Sequence, residues 1–104
     1  MKNENLIQLE CIAWFRNNIN GVIIPIVNEA TYKTKNFTIL KGASDTIVLL
    51  PSIVLFIEFK NDKGKQSKDQ IKFESDVKKL GFNYFLVRSL TQFKEIIHES
   101  TSRQ

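Results

Sequence analysis

The chain reads as an α/β domain in the order helix, three strands, helix, strand, helix, and three observations predict it. Apolar residues recur at helical spacing near both ends and in the middle. Two strand-forming runs, "TIVLL" and "IVLFIEF", sit back to back around Pro51 and Ser52. A further short run, "FNYFLV", stands between two helical segments. With 104 residues there is room for one core and one domain, 1–104, and 42% hydrophobic with 25% charged residues is an ordinary globular balance.

The first helix is predicted over about Asn5 to Asn18, with Leu6, Ile7, Ala13 and Trp14 as its apolar stripe and Glu10 in the middle of that stripe. Gly21 is a stop signal, and "VIIPIVNEA" follows as a strand whose Pro25 suggests an edge. The basic connection "TYKTKNFTILKG" leads to the two-strand run. A turn centred on Pro51 and Ser52 pairs residues whose numbers sum to 103, which sets Asp45 opposite Glu58. Pro51 fits poorly in the tightest hairpin turns, which need positive φ at the first central residue or at both. A four-residue loop with the same centre keeps the register. Ser67 and Gln70 form a capping-box pattern before a helix of about Lys68 to Leu80, with Phe73, Val77 and Leu80 inward and Gly81 as its stop. "FNYFLVR" is the last strand, and "SLTQFKEIIHES" starts a helix with Leu90, Phe93, Ile96 and Ile97 inward; residues from about 100 to 104 are expected to fray.

Several classes are set aside. No apolar run approaches the roughly 20 residues of a membrane helix, and "MKNENLIQLE" lacks the pattern of a signal peptide. A single cysteine, Cys11, cannot form an internal disulfide, which suits a reducing cytoplasm. One Cys and one His98 do not make a zinc site, and no nucleophile and base pair stands out. A net charge of +4 favours an anionic partner, although a modest lysine excess is also common in proteins that bind nothing acidic.

The charges inside the two-strand run need a reason. Strand alternation puts Glu58 and Lys60 on one face with Phe59 on the other, so two carboxylates and an ammonium share one face of a hairpin. Two carboxylates about 4 Å apart repel by roughly 4 kcal/mol at an effective dielectric of about 20. A bound divalent ion such as Mg²⁺ reverses the sign of that interaction. Glu10, on the apolar stripe, must be paired, protonated or bound to metal. Singly, each has an ordinary explanation: Asp45 as a strand start, Glu58 and Lys60 as a solvated face, Glu10 reaching a lysine. Together, in an otherwise apolar strand pattern, they favour a metal site. Gln70 is near enough in sequence to reach it, though capping explains it equally well. Lys33, Lys35 and Lys41 before Asp45, and Lys63, Lys65, Lys68 and Lys72 after Lys60, make either a phosphate-gripping rim or a solvated surface.

Asp45 followed by Glu58-Phe59-Lys60 resembles the PD-(D/E)xK nuclease motif. "NEA", "KGASD", "IEFKNDKGKQSKDQ" and "GFNYFLVRSLTQF", in that order, resemble the VRR-NUC family of small phage and bacterial nucleases, over about Glu10 to Ile97. The resemblance implies a restriction-endonuclease-like core with a central mixed sheet flanked by helices. It implies metal ligands at Asp45, Glu58 and the Phe59 carbonyl, a ligand or ligand-orienting acid at Glu10, and a catalytic lysine at Lys60. It further implies an auxiliary Gln70, nucleic-acid contacts including Arg88, and Mg²⁺ or Mn²⁺ as cofactor. The activity implied is structure-specific cleavage of branched DNA such as Holliday junctions by a homodimer, in the cytoplasm of a bacterium or phage-infected host. The sequence departs from the family in having Ser44 where a proline precedes the aspartate and Ser89 after Val87-Arg88.

Overall fold

The computed structural model describes residues 2–26 and 42–102. Its elements are α1 (Glu4–Asn18), β1 (Val22–Pro25), β2 (Thr46–Leu50), β3 (Ile53–Phe59), α2 (Lys68–Lys79), β4 (Asn83–Val87) and α3 (Leu90–Ser102). This is the predicted order. Each helix start has a local cause. Asn3 caps α1 by accepting from Leu6 N–H at 2.8 Å, and Ser67 and Gln70 close a reciprocal capping box on α2. Gly81, at φ +89°, ends α2 in a Schellman turn, with Phe82 N–H on Val77 O and Gly81 N–H on Lys78 O.

The sheet has the order β1-β2-β3-β4, antiparallel twice and then parallel. The β2–β3 ladder runs from Thr46↔Ile57 to Leu50↔Ile53, so the register expected from the sum of residue numbers is the observed one. The connection is the two-residue one, shorter than the four-residue loop that would also keep this register. Only Pro51 and Ser52 lie between the paired ends, and Ser52 carries φ +60°. Positive φ thus falls on the second central residue and leaves proline its fixed negative φ at the first, as in a type II turn. Pro25 ends the edge strand β1, where a missing N–H costs least.

One sheet face packs on α1 and α3. Val48, Leu50, Leu55, Ile57, Phe59 and Val87 meet Ile7, Cys11, Ile12 and Phe15 of α1 and Phe93 and Ile97 of α3 in one core. The buried stripe of α1 is turned by about a third of a helical turn from the predicted one, leaving Leu6 and Ala13 exposed. The other face carries Phe56, which stacks edge-on with Phe73 of α2 and with Phe82. Leu80, expected inward, caps α2 and is exposed. The tail expected to fray from about residue 100 is helical through Ser102. No helix among the described residues is long and apolar enough to cross a membrane.

Phe93 is fully buried and its ring meets Trp14, Phe15 and Phe59, joining α3 to α1 and β3. Phe93→Ala is expected to cost about 3–5 kcal/mol of unfolding free energy in denaturant melts. A loss below about 1 kcal/mol would show that the three elements hold together without it.

Candidate active site

The site lies at the end of β3 where the sheet meets the connection to α2. Glu58 alternates with Phe59, so Phe59 enters the α1–α3 core while Glu58 faces α2, and its side chain is 1% exposed. Gln70 Nε2 donates to Glu58 Oε2 at 2.9 Å, and the Tyr84 hydroxyl donates to Oε1 at 3.4 Å. Tyr84 is oriented in turn by Gln66, whose Nε2 reaches both Tyr84 Oη (3.3 Å) and Glu74 Oε1 (3.0 Å). Gln70 is therefore both things the sequence allowed: its Oε1 accepts Ser67 N–H at 2.8 Å while its amide nitrogen holds the carboxylate.

Asp45 stands one residue beyond the last β2–β3 pair. Its Oδ2 accepts Phe59 N–H at 2.8 Å, its carbonyl accepts Ile26 N–H at 2.7 Å, and Gln8 of α1 donates to Thr46 Oγ1 at 2.9 Å beside it. In an extended strand the N–H and C=O of one residue point to the same side, so the Phe59 carbonyl leaves β3 on the side of Asp45. Gly42 explains how the chain arrives there. At φ +81°, its α-carbon sits so close to the first turn of α2 that a Cβ would lie 2.2 Å from Asp69 C and 2.6 Å from Gln70 N. The glycine lets the start of β2 and the start of α2 converge on Glu58.

Lys60 follows on the same strand, with its N–H on Val87 O at 3.0 Å and its side chain 12% exposed. Among the described residues its ammonium pairs with Glu4 of α1, at 4.0 Å. Lys63, Lys65 and Lys68 are exposed on the connection after Lys60 and the first turn of α2. Lys33, Lys35 and Lys41 lie outside the described residues.

The structure does not bring Glu10 to this group. Glu10 is half-buried and pairs with Lys2 at 2.8 Å. The rotation of the α1 stripe is the reason: the polar residues at its centre are Glu4 and Gln8, one helical turn apart, and these meet Lys60 and the start of β2. That spacing was visible in the sequence; Tyr84 and Gln66 carried no signal there. Arg88 is half-buried, with Nη1 on the carbonyls of Asn61 (2.6 Å) and Gly64 (2.8 Å).

Electrostatically the centre is a buried carboxylate, Glu58, against a half-buried one, Asp45. The Glu58 carboxyl is pushed from an ordinary 4.5 up to about 8, first by burial, then by the charge of Asp45 and a carboxyl–carboxyl hydrogen bond with it, against the pull of Lys60 and Tyr84. Without a cation the Glu58 carboxyl keeps its proton at neutral pH. Burial and the charge of Glu58 raise the Tyr84 hydroxyl as well, which keeps it a donor. Among the described residues no three carboxylate, imidazole or thiolate groups converge. Two hard oxygen acids with an adjacent backbone carbonyl fit Mg²⁺ or Mn²⁺, which take one or two carboxylates and complete their shell with water and phosphate.

No protein-family model and no curated protein matches the chain. Solved structures do. One described as a VRR_NUC domain superposes with a TM-score of 0.70 over 94% of this chain and 97% of its own, at 23% identity. Another, a VRR_NUC domain protein, gives 0.74 over 93% and 86%, at 17% identity. This is the VRR_NUC fold. The resemblance implied by "KGASD" and "IEFK" is thus matched in three dimensions by a restriction-endonuclease-like α/β fold, a four-stranded mixed sheet with three helices. In that VRR_NUC frame Glu58 sits at the carboxyl end of β3, with Asp45 beside it at the start of β2, the end at which open α/β sheets bind their ligands.

Two outcomes follow for the pair. Glu58 holds its proton in the folded state over a range where the unfolded chain has lost it, so its contribution is fully present below about pH 4.5 and is lost as pH rises through about 8. In chelator, the thermal midpoint is expected to fall from about pH 5 to about pH 9, and Glu58→Gln to flatten that fall; a wild-type midpoint that climbs over this window, with Glu58→Gln unchanged, would contradict the buried, protonated Glu58. Gly42→Ala combines left-handed backbone with a backbone clash and is expected to lower stability by several kcal/mol, on the order of 3. Wild-type-like melting of that variant would mean that the start of β2 does not rest on α2.

Proposed function

We propose that the protein is a metal-dependent endodeoxyribonuclease, and the observation that carries this is the buried Glu58 carboxyl against half-buried Asp45, with Lys60 following on the same face. A stable sheet has no use for two carboxylates set against each other at the end of its central strand. The VRR_NUC fold supports the same reading.

Each residue has a task in phosphodiester hydrolysis. Asp45 is pinned by Phe59 N–H and Glu58 by Gln70 and Tyr84, so both carboxylates are held in fixed orientations. Mg²⁺ or Mn²⁺ held by these two acids and the Phe59 carbonyl would supply the acidification of a water and the neutralisation of the phosphate. Lys60, largely buried and with its charge acting on Glu58, stabilises charge developing on the phosphoryl oxygens. Lys63, Lys65 and Lys68 extend a positive rim from the site along the connection to α2 and grip neighbouring phosphates.

The substrate class proposed is branched DNA of the Holliday-junction type, cut by a two-fold homodimer that presents one site to each of two symmetry-related strands. The location proposed is the cytoplasm of a bacterium or phage-infected host. Purified protein incubated with four-way, flap and linear DNA is expected to cut the four-way substrate in Mg²⁺ or Mn²⁺ and to be inert in chelator. Asp45→Ala and Lys60→Ala are expected to lose cutting by on the order of a thousandfold or more while still binding DNA. Cleavage by either variant at the wild-type rate would sink the assignment. Binding of all three substrates with no cleavage in either metal would favour a nuclease-fold binding module. Mg²⁺ is expected to raise the wild-type thermal midpoint at pH 8 and to leave that of Asp45→Ala unmoved.

A further inference from the structure

Lys60 brings a long flexible side chain to the site, and its direction is set from outside the carboxylate pair. Four flexible carbons need walls if the ammonium is to stay in one place. One wall is the turn that follows β3. Asn61 and Gly64 close it, with Gly64 N–H on Asn61 O at 3.2 Å and Lys63 N–H on Asn61 Oδ1 at 3.1 Å. Gly64 lies against the lysine stem: a methyl placed on it would be 3.2 Å from Lys60 Cδ and 3.4 Å from Glu4 Oε1.

Arg88 holds that turn in place. It follows Val87, whose carbonyl takes Lys60 N–H, so the guanidinium starts beside the lysine's own backbone. Its Nη1 donates to Asn61 O at 2.6 Å and Gly64 O at 2.8 Å, the two ends of the turn. The arginine is anchored in its turn by α3: Gln92 Oε1 accepts Arg88 N–H at 2.7 Å, and Gln92 Nε2 returns to Leu86 O at 3.2 Å. The chain of contacts runs from α3 through Arg88 and Gly64 to the stem of Lys60.

We propose that Arg88 is a positioning residue for Lys60, pressing the Asn61–Gly64 turn onto the lysine's stem so that the ammonium faces the Asp45–Glu58 pair. The proposal rests on the nuclease reading of the site. It gives Arg88 a task different from the nucleic-acid contact that the family resemblance implies: Nη1 is spent on the carbonyls of Asn61 and Gly64, and the salt series below tests whether the donors left on Nη2 and Nε reach a phosphate. Fixing a catalytic group matters at this level: misplacement by about 1 Å can cost on the order of a hundredfold in rate.

Two variants approach the lysine from opposite sides. Arg88→Gln releases the turn. Gly64→Ala keeps Arg88 but puts a methyl against the stem, and Gly64 is outside the left-handed region, so alanine is compatible with its backbone. Single-turnover cleavage of four-way DNA in Mg²⁺ is measured for both and for the double variant, together with DNA affinity over a salt series and thermal midpoints. The expected result for each single variant is a rate lower by on the order of ten- to a hundredfold with affinity and salt slope unchanged. The double variant is expected to lose less than the product of the two, since both act through one turn. Weaker binding with a salt slope shallower by about one would identify a phosphate contact and overturn the proposal. So would folded Arg88→Gln cutting at the wild-type rate. If Arg88→Gln fails to fold, Gly64→Ala decides, and its cutting at the wild-type rate overturns the proposal. Failure of the wild-type protein to cut any DNA removes the nuclease reading itself, whereas cutting by wild type and variants alike removes only the role of Arg88.

Discussion

The burial of Glu58 beside Asp45 is the constraint around which the rest is arranged. An acid with 1% of its surface exposed has to find donors, and it finds them on α2 and β4. Those donors fix where α2 begins and on which side of the sheet it lies. The Tyr84 hydroxyl requires β4 to run parallel beside β3, and Gln66 requires the connection to fold back over it. Every buried polar side-chain atom among the described residues has a partner. The strain of the site therefore lies in like charge, not in missing hydrogen bonds.

The two faces of β3 divide the work. Leu55, Ile57 and Phe59 bind α1 and α3 into a dry core, while Phe56, Glu58 and Lys60 alternate with them and turn from aromatic packing to a charged cluster within a few residues. A rigid apolar face directly behind a charged one is how a small fold can hold carboxylate oxygens still. Asp45 comes from the neighbouring strand and Gln8 and Glu4 from the helix behind, so sheet and helix both contribute to the same end.

Most of the architecture was legible in the sequence because it is written in local terms. Apolar periodicity, Pro51-Ser52 and the Ser67/Gln70 box locate elements, and the register of β2 on β3 follows from where the turn is centred. The phase of α1 was not legible in the same way. Its helix carries apolar residues on nearly all sides, so Leu6 and Ile7 compete for the core and only packing against the sheet chooses between them. That choice moves Glu10 out to Lys2 and brings Glu4 and Gln8 in. Arg88 shows a different limit. Its type and position are readable, but its partners are backbone carbonyls, and no side-chain pattern announces those.

The capping box of α2 has a consequence for what can stand at position 70. Its side chain accepts Ser67 N–H with one atom and donates to Glu58 with the other, so the two ends of a single amide are assigned by neighbours that cannot exchange roles. Glutamate would keep the cap and set a third negative charge against the pair; shorter asparagine would reach one partner at the expense of the other; leucine would fill the volume and satisfy neither. Glutamine is the side chain of that length that offers both an acceptor and a donor. The nucleation of a helix and the orientation of a carboxylate are thereby a single event, and the site comes into being as α2 takes its first turn.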